Sequence, residues 1–271
     1  MSIGPLMSSR NIDNKSKRTE AYNTMWALLP LKDFVQAKQR LAGTLTVSER
    51  RGLFHAMVED VLTVLAAHPS FERIVVVSDD PAAQLLAEHY GIDCWSEREL
   101  GVSGLNAVVS AALQKMAGLQ LGLPQVTSAM VVHGDLPLLG AQELNTLIDQ
   151  HTELMKTHSS AVTIATDRHG RGSNILVCDP ARAPTLAYGQ DSCEAHYAAA
   201  SAMDLPAQIL ALQGISQDID TREDLQHLLS MAPTSAAERT LTYLFQAGIA
   251  QRLQHLQSGP ANTSTPVWSA V

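Results

Sequence analysis

Cysteine is scarce in this 271-residue chain. Cys94, Cys178 and Cys193 are the only three, far apart and in no CxxC spacing, which argues against a disulfide framework and against a zinc site. Long apolar runs are missing as well. None approaches the roughly 18 unbroken apolar residues of a membrane helix. The stretch from Met1 to Ala21 has no continuous apolar segment of the kind a secretory signal uses. Its Ser, Asn, Lys and Arg read as a flexible tail; with neither an export signal nor paired cysteines, a cytoplasmic location is expected. Basic residues are in the minority: 19 Lys and Arg stand against 27 Asp and Glu, a formal net charge of -8. Nucleic acids and anionic membranes select basic surfaces, so neither is an expected partner. Two common nucleotide signatures are absent too. There is no GxxxxGK[ST] loop, and no GxGxxG follows the first apolar run; Gly101-Val102-Ser103-Gly104 is only a GxxG. No nucleophile stands with a base and an orienting group, so covalent catalysis is not indicated.

What is present is enough apolar sequence for one sizeable core, 45% of residues. Met25 to Leu31, Arg73 to Ser78, Ala129 to His133 and Ala161 to Thr166 are short, nearly continuous apolar runs, which fits strands buried on both faces. Between them the spacing turns helical. Thr46 to His68 opens on Thr46-x-x-Glu49, a candidate capping box, and carries Leu53, Met57, Val61, Val64 and Leu65 along one face. Pro81 to Tyr90, Leu105 to Met116 and Gln142 to His158 are further helices. Alternation of this kind predicts a parallel sheet with helices on both faces. Ala232 to Gln257 reads as one or two helices, which either cover the core or make a homodimer contact. Ser258 to Val271, rich in Ser, Thr, Pro and Gly, reads as disordered. The expected organisation is a tail over 1–23, one domain over 24–230, a helical extension over 231–257 and a second tail.

Ligands of such sheets bind beyond the carboxyl ends of the strands. Three polar segments fall there: Pro30-Leu31-Lys32-Asp33, Ser78-Asp79-Asp80 and Gly134-Asp135-Leu136-Pro137. Lys32, with Lys38 and Arg40 close behind, forms a cationic loop suited to a polyphosphate; a solvated basic turn is the plainer alternative. Asp135 offers a carboxylate for magnesium, a hard cation that takes oxygen ligands, unless it merely caps the next helix. Asp218 and Asp220 lie on one face if that segment is extended, and could meet Asp135 over one sheet edge; capping of a helix from Arg222 is the alternative. Gly170-Arg171-Gly172-Ser173-Asn174 is either an anion-binding turn or a hairpin. Ser192 reads as the N-cap of a helix over Cys193 to Ala202, with His196 on the same side. His133 reads as a packing residue at a strand end.

In order along the chain stand LPLKDFVQAKQRLA, SERRGLFHAMVEDVL, VVVSDD, GLNAVVSAA, HGDLPLL, RHGRGSN, YGQDSCEAH and DIDTREDL. This series resembles the 2-phospho-L-lactate guanylyltransferase family of coenzyme F-420 biosynthesis, from about Met25 to Leu229, without the tails and C-terminal helices. The resemblance implies a single-domain, Rossmann-like α/β fold of the nucleotide-diphospho-sugar transferase (GT-A) type, with a mixed, mostly parallel sheet flanked by helices. It implies GTP and Mg2+. Lys32, Lys38 and Arg40 would hold the triphosphate, and with Asp135 they would carry catalysis. Asp79, Gly104, Leu105 and Asn106 would hold the guanosine, Asp135 and Asp220 the magnesium. Ser173, Gly189 and Ser192 would hold a phosphorylated three-carbon acid: 2-phospho-L-lactate, phosphoenolpyruvate or 3-phospho-D-glycerate. The attacking group is itself a phosphate, with a second pKa of about 6, so no strong base is needed. Two departures stand out. Ser173 replaces the family's usual Thr, widening the acceptor pocket by a methyl and inclining the reading towards a nonstandard acid. His133 before Gly134 is also unusual. The rival readings are a nucleotidyltransferase for another acceptor and a GTP-binding regulatory module without turnover.

Overall fold

The computed structural model describes residues 25–119, 126–231 and 236–255. The expectations for tails over 1–23 and 258–271 lie outside those residues. The strands are β1 (Met25–Pro30), β2 (Phe71–Val77), β3 (Asp93–Trp95), β4 (Ser128–Val132), β5 (Val162–Thr166), β6 (Ser173–Cys178) and β7 (Ala207–Leu210). Helices lie between and after them: α1 (Val47–Ala67), α2 (Pro81–Tyr90), α3 (Glu97–Leu100), α4 (Leu105–Gly118), α5 (Ala141–Met155), α6 (Ser192–Ala202), α7 (Arg222–Ser230), α8 (Glu238–Gln246) and α9 (Ile249–His255).

The strands form one sheet in the order β3-β2-β1-β4-β6-β5-β7. β3, β2, β1 and β4 are parallel; β6 is antiparallel to both β4 and β5, and β7 is parallel to β5. The sheet is therefore mixed and mostly parallel, as the family resemblance implies; strand–helix alternation alone gives the parallel strands and not the reversal of β6. The cause is local. Only Asp167–Gly172 separates β5 from β6, far too few residues for the crossover that a parallel pair requires. A tight hairpin forms instead, with Asp167 N–H donating to the Gly172 carbonyl at 3.2 Å.

Strand alternation splits the core in two. Met25, Ala27 and Leu29 face a cluster built with α1, α2, α5 and α7, whereas Trp26 and Leu28 face one built with α4 and α6. α1 starts as its capping box predicts, with Thr46 and Glu49 exchanging side chain–backbone bonds of 2.8 and 3.3 Å. It buries Leu53, Phe54, Met57, Val61 and Leu65, each contributing about 1.5–3 kcal/mol relative to an exposed position. Leu241, Leu244, Ile249, Ala250 and Leu253 of α8 and α9 join this same cluster. These helices thus cover the core, one of the two uses foreseen for them. Asp60 of α1 receives the Arg239 and Thr240 amides at 3.0 and 2.9 Å, capping α8 where Ala237 cannot.

Reversal of β6 has a consequence for function. Its first residues, Ser173 and Asn174, come to the same sheet edge as the carboxyl ends of β1, β2 and β4. His133 N–H meets the Asn174 carbonyl at 3.4 Å just past the β4–β6 ladder.

Candidate active site

Three adjoining cavities run along this edge. The first, about 610 Å³, lies beyond β1 and β2 and is lined by Lys32, Asp79, Arg98, Gly104 and Leu105 among others. The second, about 420 Å³, is lined by Lys32, Lys38, Arg40, His133, Gly134, Asp135 and Asp220. The third, about 740 Å³, lies beyond β6 and is lined by Ser173, Tyr188, Gly189, Ser192 and Asp218, again with Arg40, His133, Asp135 and Asp220. Leu105 borders all three. The result is one cleft with a middle that both ends share.

The middle is built around Lys38. Its ammonium donates to Asp135 Oδ2 at 2.5 Å and to Asp220 Oδ1 at 2.6 Å, and its side chain is only 4% exposed. Lys38 takes the left-handed conformation, φ 56°, which costs a non-glycine residue roughly 1–2 kcal/mol. Strain of this kind persists where the surroundings fix it, often at functional sites. Burial pushes the Lys38 ammonium down, but Asp135 and Asp220 outweigh it and hold its pKa above the usual lysine value. Burial likewise pushes the Asp135 carboxyl up, and Lys38, helped by His133, more than reverses this. Arg40, largely exposed, reaches Asp220 Oδ2 at 3.2 Å.

Backbone contacts bring the distant acidic segments together. Ile219 N–H donates to the Asp135 carbonyl at 3.1 Å. The Asp220 and Thr221 amides donate to Asp224 Oδ2 at 2.9 and 2.7 Å, and Asp224 is ion-paired with Arg168. Thr221 is the N-cap of α7, and Gly140 occupies that place for α5. Neither Asp135 nor Asp220 is therefore spent as a cap. Gly134 is required where it stands: a Cβ there would lie 2.7 Å from Leu31 Cδ2 and 2.9 Å from Val58 Cγ2.

Two carboxylates converging on one cation form an oxygen-only donor set of the sort that suits magnesium. Among the described residues no cluster of three or more His, Cys, Asp and Glu is arranged to hold a metal. A hard ion here would complete its shell with water and phosphate oxygens, which is how magnesium usually sits. Asp218 stands nearby, bonded by the Asn174 amide at 3.3 Å. Burial first, and then the charges of Asp135 and Asp220, push its carboxyl up to about 6. Three carboxylates here face the Lys38 ammonium and the exposed Arg40, so acidic groups outnumber basic ones at the middle of the cleft.

At the first cavity Asp79 accepts from Ser96 Oγ at 2.5 Å and from Arg98 N at 3.2 Å, holding the start of α3 against the end of β2. Gly104, at φ 86°, turns the chain into α4. Asn106 does something the sequence did not suggest. Its Oδ1 accepts from Tyr188 N at 2.6 Å and its Nδ2 donates to Tyr188 O at 3.3 Å. Both ends of the amide are occupied by the loop before Gly189, and Asn106 lines none of the three cavities.

At the third cavity Ser192 is not the N-cap expected; Asp191 holds that place, in the left-handed region and without a side-chain cap bond. Ser192 is instead buried, accepting the Ser173 backbone N–H at 2.9 Å. The expected packing role of His133 is part of what is found, since its ring lies edge-on to Tyr188 at 5.1 Å. It also borders two cavities, and its Nε2 is buried without a hydrogen-bond partner among the described residues. Sequence reasoning passed over Asn174, Tyr188, Arg168 and Asp224. Asn174 was legible as part of the Gly-Ser-Asn turn and Asp224 as the last residue of a Thr221-x-x-Asp224 capping box, whereas Tyr188 and Arg168 act through contacts that no local pattern announces.

A mixed sheet with a polyphosphate-sized cleft over its strand ends, and paired carboxylates at the middle, defines a nucleotide-handling α/β transferase. The fold agrees with a crystal structure described as a nucleotide-diphospho-sugar transferase of Desulfovibrio desulfuricans G20 (TM-score 0.63, 14% identity, 84% of this chain and 96% of that one). The family model for CofC-like guanylyl transferases matches residues 25–259, and the chain belongs to that family. It is therefore a nucleotidyltransferase, and the match runs on through α8 and α9. A phosphoenolpyruvate guanylyltransferase of Conexibacter woesei is 35% identical over 203 residues, 75% of this chain and 86% of the relative. A 2-phospho-L-lactate guanylyltransferase of Methanothermobacter thermautotrophicus is 30% identical over 203 residues, 75% of this chain and 83% of the relative.

Proposed function

We propose that the protein transfers GMP from GTP to the phosphate of a phosphorylated three-carbon acid, releasing pyrophosphate, as a step in F-420 biosynthesis. The single observation that carries this reading is the continuous cleft with Asp135, Asp220 and Lys38 where its chambers join. Phosphoenolpyruvate stands first among the acceptors because several relatives similar to this chain carry its name. 2-Phospho-L-lactate and 3-phospho-D-glycerate remain as test acceptors.

In this reading the guanosine lies in the first chamber, near Asp79, Gly104 and Leu105. Lys32 and Arg40 take the triphosphate, with Lys38 at its α-phosphate end. Ser173, Gly189 and Ser192 receive the acid. Asp135 and Asp220 hold Mg2+, which when bound supplies positive charge to the phosphate oxygens. An acceptor phosphate oxygen then forms a bond to the α-phosphorus as the α–β bridging bond breaks, and pyrophosphate leaves with that electron pair. The protein's task is alignment and charge cancellation, which explains how a chain of net charge -8 can handle so much phosphate.

The test is pyrophosphate release with GTP, Mg2+ and each of the three acids in parallel, with ATP and CTP as controls. Release with GTP and one acid, lost in EDTA, is the expected result. GTP binding with no release under any acid would move the assignment to a regulatory module.

A further inference from the structure

Behind the third chamber, the hydrogen bonds fix which way its hydroxyls must point. His196 of α6 is fully buried. Its Nε2 lies 2.9 Å from the backbone nitrogen of Ala187, and a backbone N–H can only donate. Nε2 therefore carries the lone pair. Burial pushes the ring pKa down to about 4, so His196 is neutral near pH 7. A neutral ring whose Nε2 accepts has its proton on Nδ1. Nδ1 lies 2.9 Å from Ser173 Oγ, which must then be the acceptor in that pair. The proton of the Ser173 hydroxyl is left to be donated elsewhere. Ser192 repeats the pattern: its Oγ accepts the Ser173 N–H, and its own proton is uncommitted. Among the described residues neither hydroxyl has an acceptor of its own, and both line the third chamber. Two O–H donors side by side call for a group that only accepts, an ionised carboxylate or a phosphate; in the transfer reading the acid's phosphate is engaged at the α-phosphorus beside Lys38, which leaves its carboxylate for these donors. Tyr188, with its ring centroid 4.7 Å from that of His196, packs edge-on against the imidazole and limits its rotation.

We infer that His196 is a positioning residue for acid recognition: by donating from Nδ1 to Ser173 Oγ, it forces the Ser173 hydroxyl to act as a donor towards the carboxylate of the acceptor. This rests on the transfer reading above. His196 touches neither nucleotide nor acid, and its effect passes through one hydrogen bond. It belongs to acceptor binding, separate from the Lys38 centre.

The experiment compares His196→Asn, His196→Gln, Ser173→Ala and the His196→Gln/Ser173→Ala double variant. Asn keeps a donor near the Nδ1 position; Gln keeps a group near Nε2 and loses the bond to Ser173. With phosphoenolpyruvate and GTP, His196→Gln should raise the acceptor KM about tenfold, the order of a lost hydrogen bond to a charged group. Its KM for GTP should stay unchanged and His196→Asn should stay near wild type. The double variant should be no worse than Ser173→Ala alone, because both act on one bond. Equal losses in the Asn and Gln variants, a parallel rise in the GTP KM, or full additivity would overturn the inference. Nitrogen NMR of the imidazole in the unliganded wild type tests the same point without turnover. A proton on Nδ1 supports the inference and a proton on Nε2 overturns it. Wild-type protein that turns over none of the acids strikes the transfer reading, and the ring tautomer is still measurable there.

Discussion

The two halves of the sheet bury different things. Along β3, β2, β1 and β4 the fully buried strand residues are apolar apart from Ser128, and charge collects beyond the strand ends in Lys32, Lys38, Asp79 and Asp135. Along β6 and β5, polar side chains are buried within the strands: Thr163, Thr166, Ser173 and Asn174, with His151, Ser192 and His196 behind them. The first half is held by area removed from water, which tolerates exchange of one apolar residue for another of similar volume. The second shares that apolar packing through Val162, Ile164, Ile175, Leu176 and Val177, and adds buried hydrogen bonds that fix orientation and penalise the loss of a single partner. A nucleotide with many charges needs a strong field at a strand edge. A small acid needs a few donors aimed correctly, and the second half is organised to aim them.

The largest test strikes where the halves meet. Asp135→Asn should cut turnover on the order of a thousandfold, comparable to removing a preorganised charge-stabilising group. Asn keeps an acceptor for Lys38, and Asp220 keeps that ammonium paired, so the variant should stay folded with a midpoint lowered no further than that of Lys38→Met. Full pyrophosphate release in the variant would take Asp135 out of the chemistry and leave the two halves without a common centre.

Acid should separate the halves next. His151 joins α5 to both strands around it, with Nδ1 3.0 Å from Thr163 Oγ1 and Nε2 3.4 Å from Ser128 Oγ. Burial holds its pKa at about 4, against about 6.5 in an unfolded chain. The neutral folded form therefore contributes fully above about pH 6.5, and that contribution fades as pH falls towards 4. About 3 kcal/mol is at stake. Urea unfolding from pH 7 to pH 4 should show a smaller loss in His151→Gln than in wild type. Parallel curves would mean that His151 is not what makes the second half sensitive to acid.

Lys38→Met sharpens the contrast from the other side. It leaves Asp135 without its ammonium and Asp220 with only the exposed Arg40, a loss of about 2 kcal/mol for a buried charge that loses its partner. A divalent cation should restore part of it. Thermal unfolding with and without Mg2+ should show a larger rise in midpoint for Lys38→Met than for wild type. Equal rises would mean that the two carboxylates do not hold the ion.

How much of this was legible in the sequence follows the same division. Apolar runs and helical spacing located β1, β2, β4 and β5, and α1 with its capping box, because area burial leaves a periodic trace. Charged residues just past those runs were easy to find for the same reason. β6 was harder. It was marked only by a glycine turn that could be read as a hairpin, and its direction depends on the shortness of the 167–172 connection. Polar networks leave no period at all. Ser192 looked like a cap from its place before a helix, yet its oxygen is taken by Ser173, nineteen positions earlier. Asp224 closes a local capping box with Thr221, yet its ion pair with Arg168 is set by tertiary approach alone.

Asn106 is the sharpest case, because it sits in one half and serves the other. By position it opens α4 beside the first chamber, and motif resemblance gave it to the guanosine. Its amide instead holds both backbone atoms of Tyr188, whose ring packs against His133 and His196 and whose neighbour is Gly189. Asn106→Ala should therefore loosen the acid-binding loop and spare the nucleotide. Losing two backbone bonds in a partly buried place corresponds to about tenfold at the acceptor KM, with the GTP KM little changed. Asn106→Asp tests the same link more finely. A carboxylate keeps the acceptor for Tyr188 N–H and loses the donor to Tyr188 O, so its acceptor KM should fall between wild type and the alanine variant. A rise confined to the GTP KM would return Asn106 to the nucleotide, and the boundary between the halves would then lie at α4 rather than across the loop it holds.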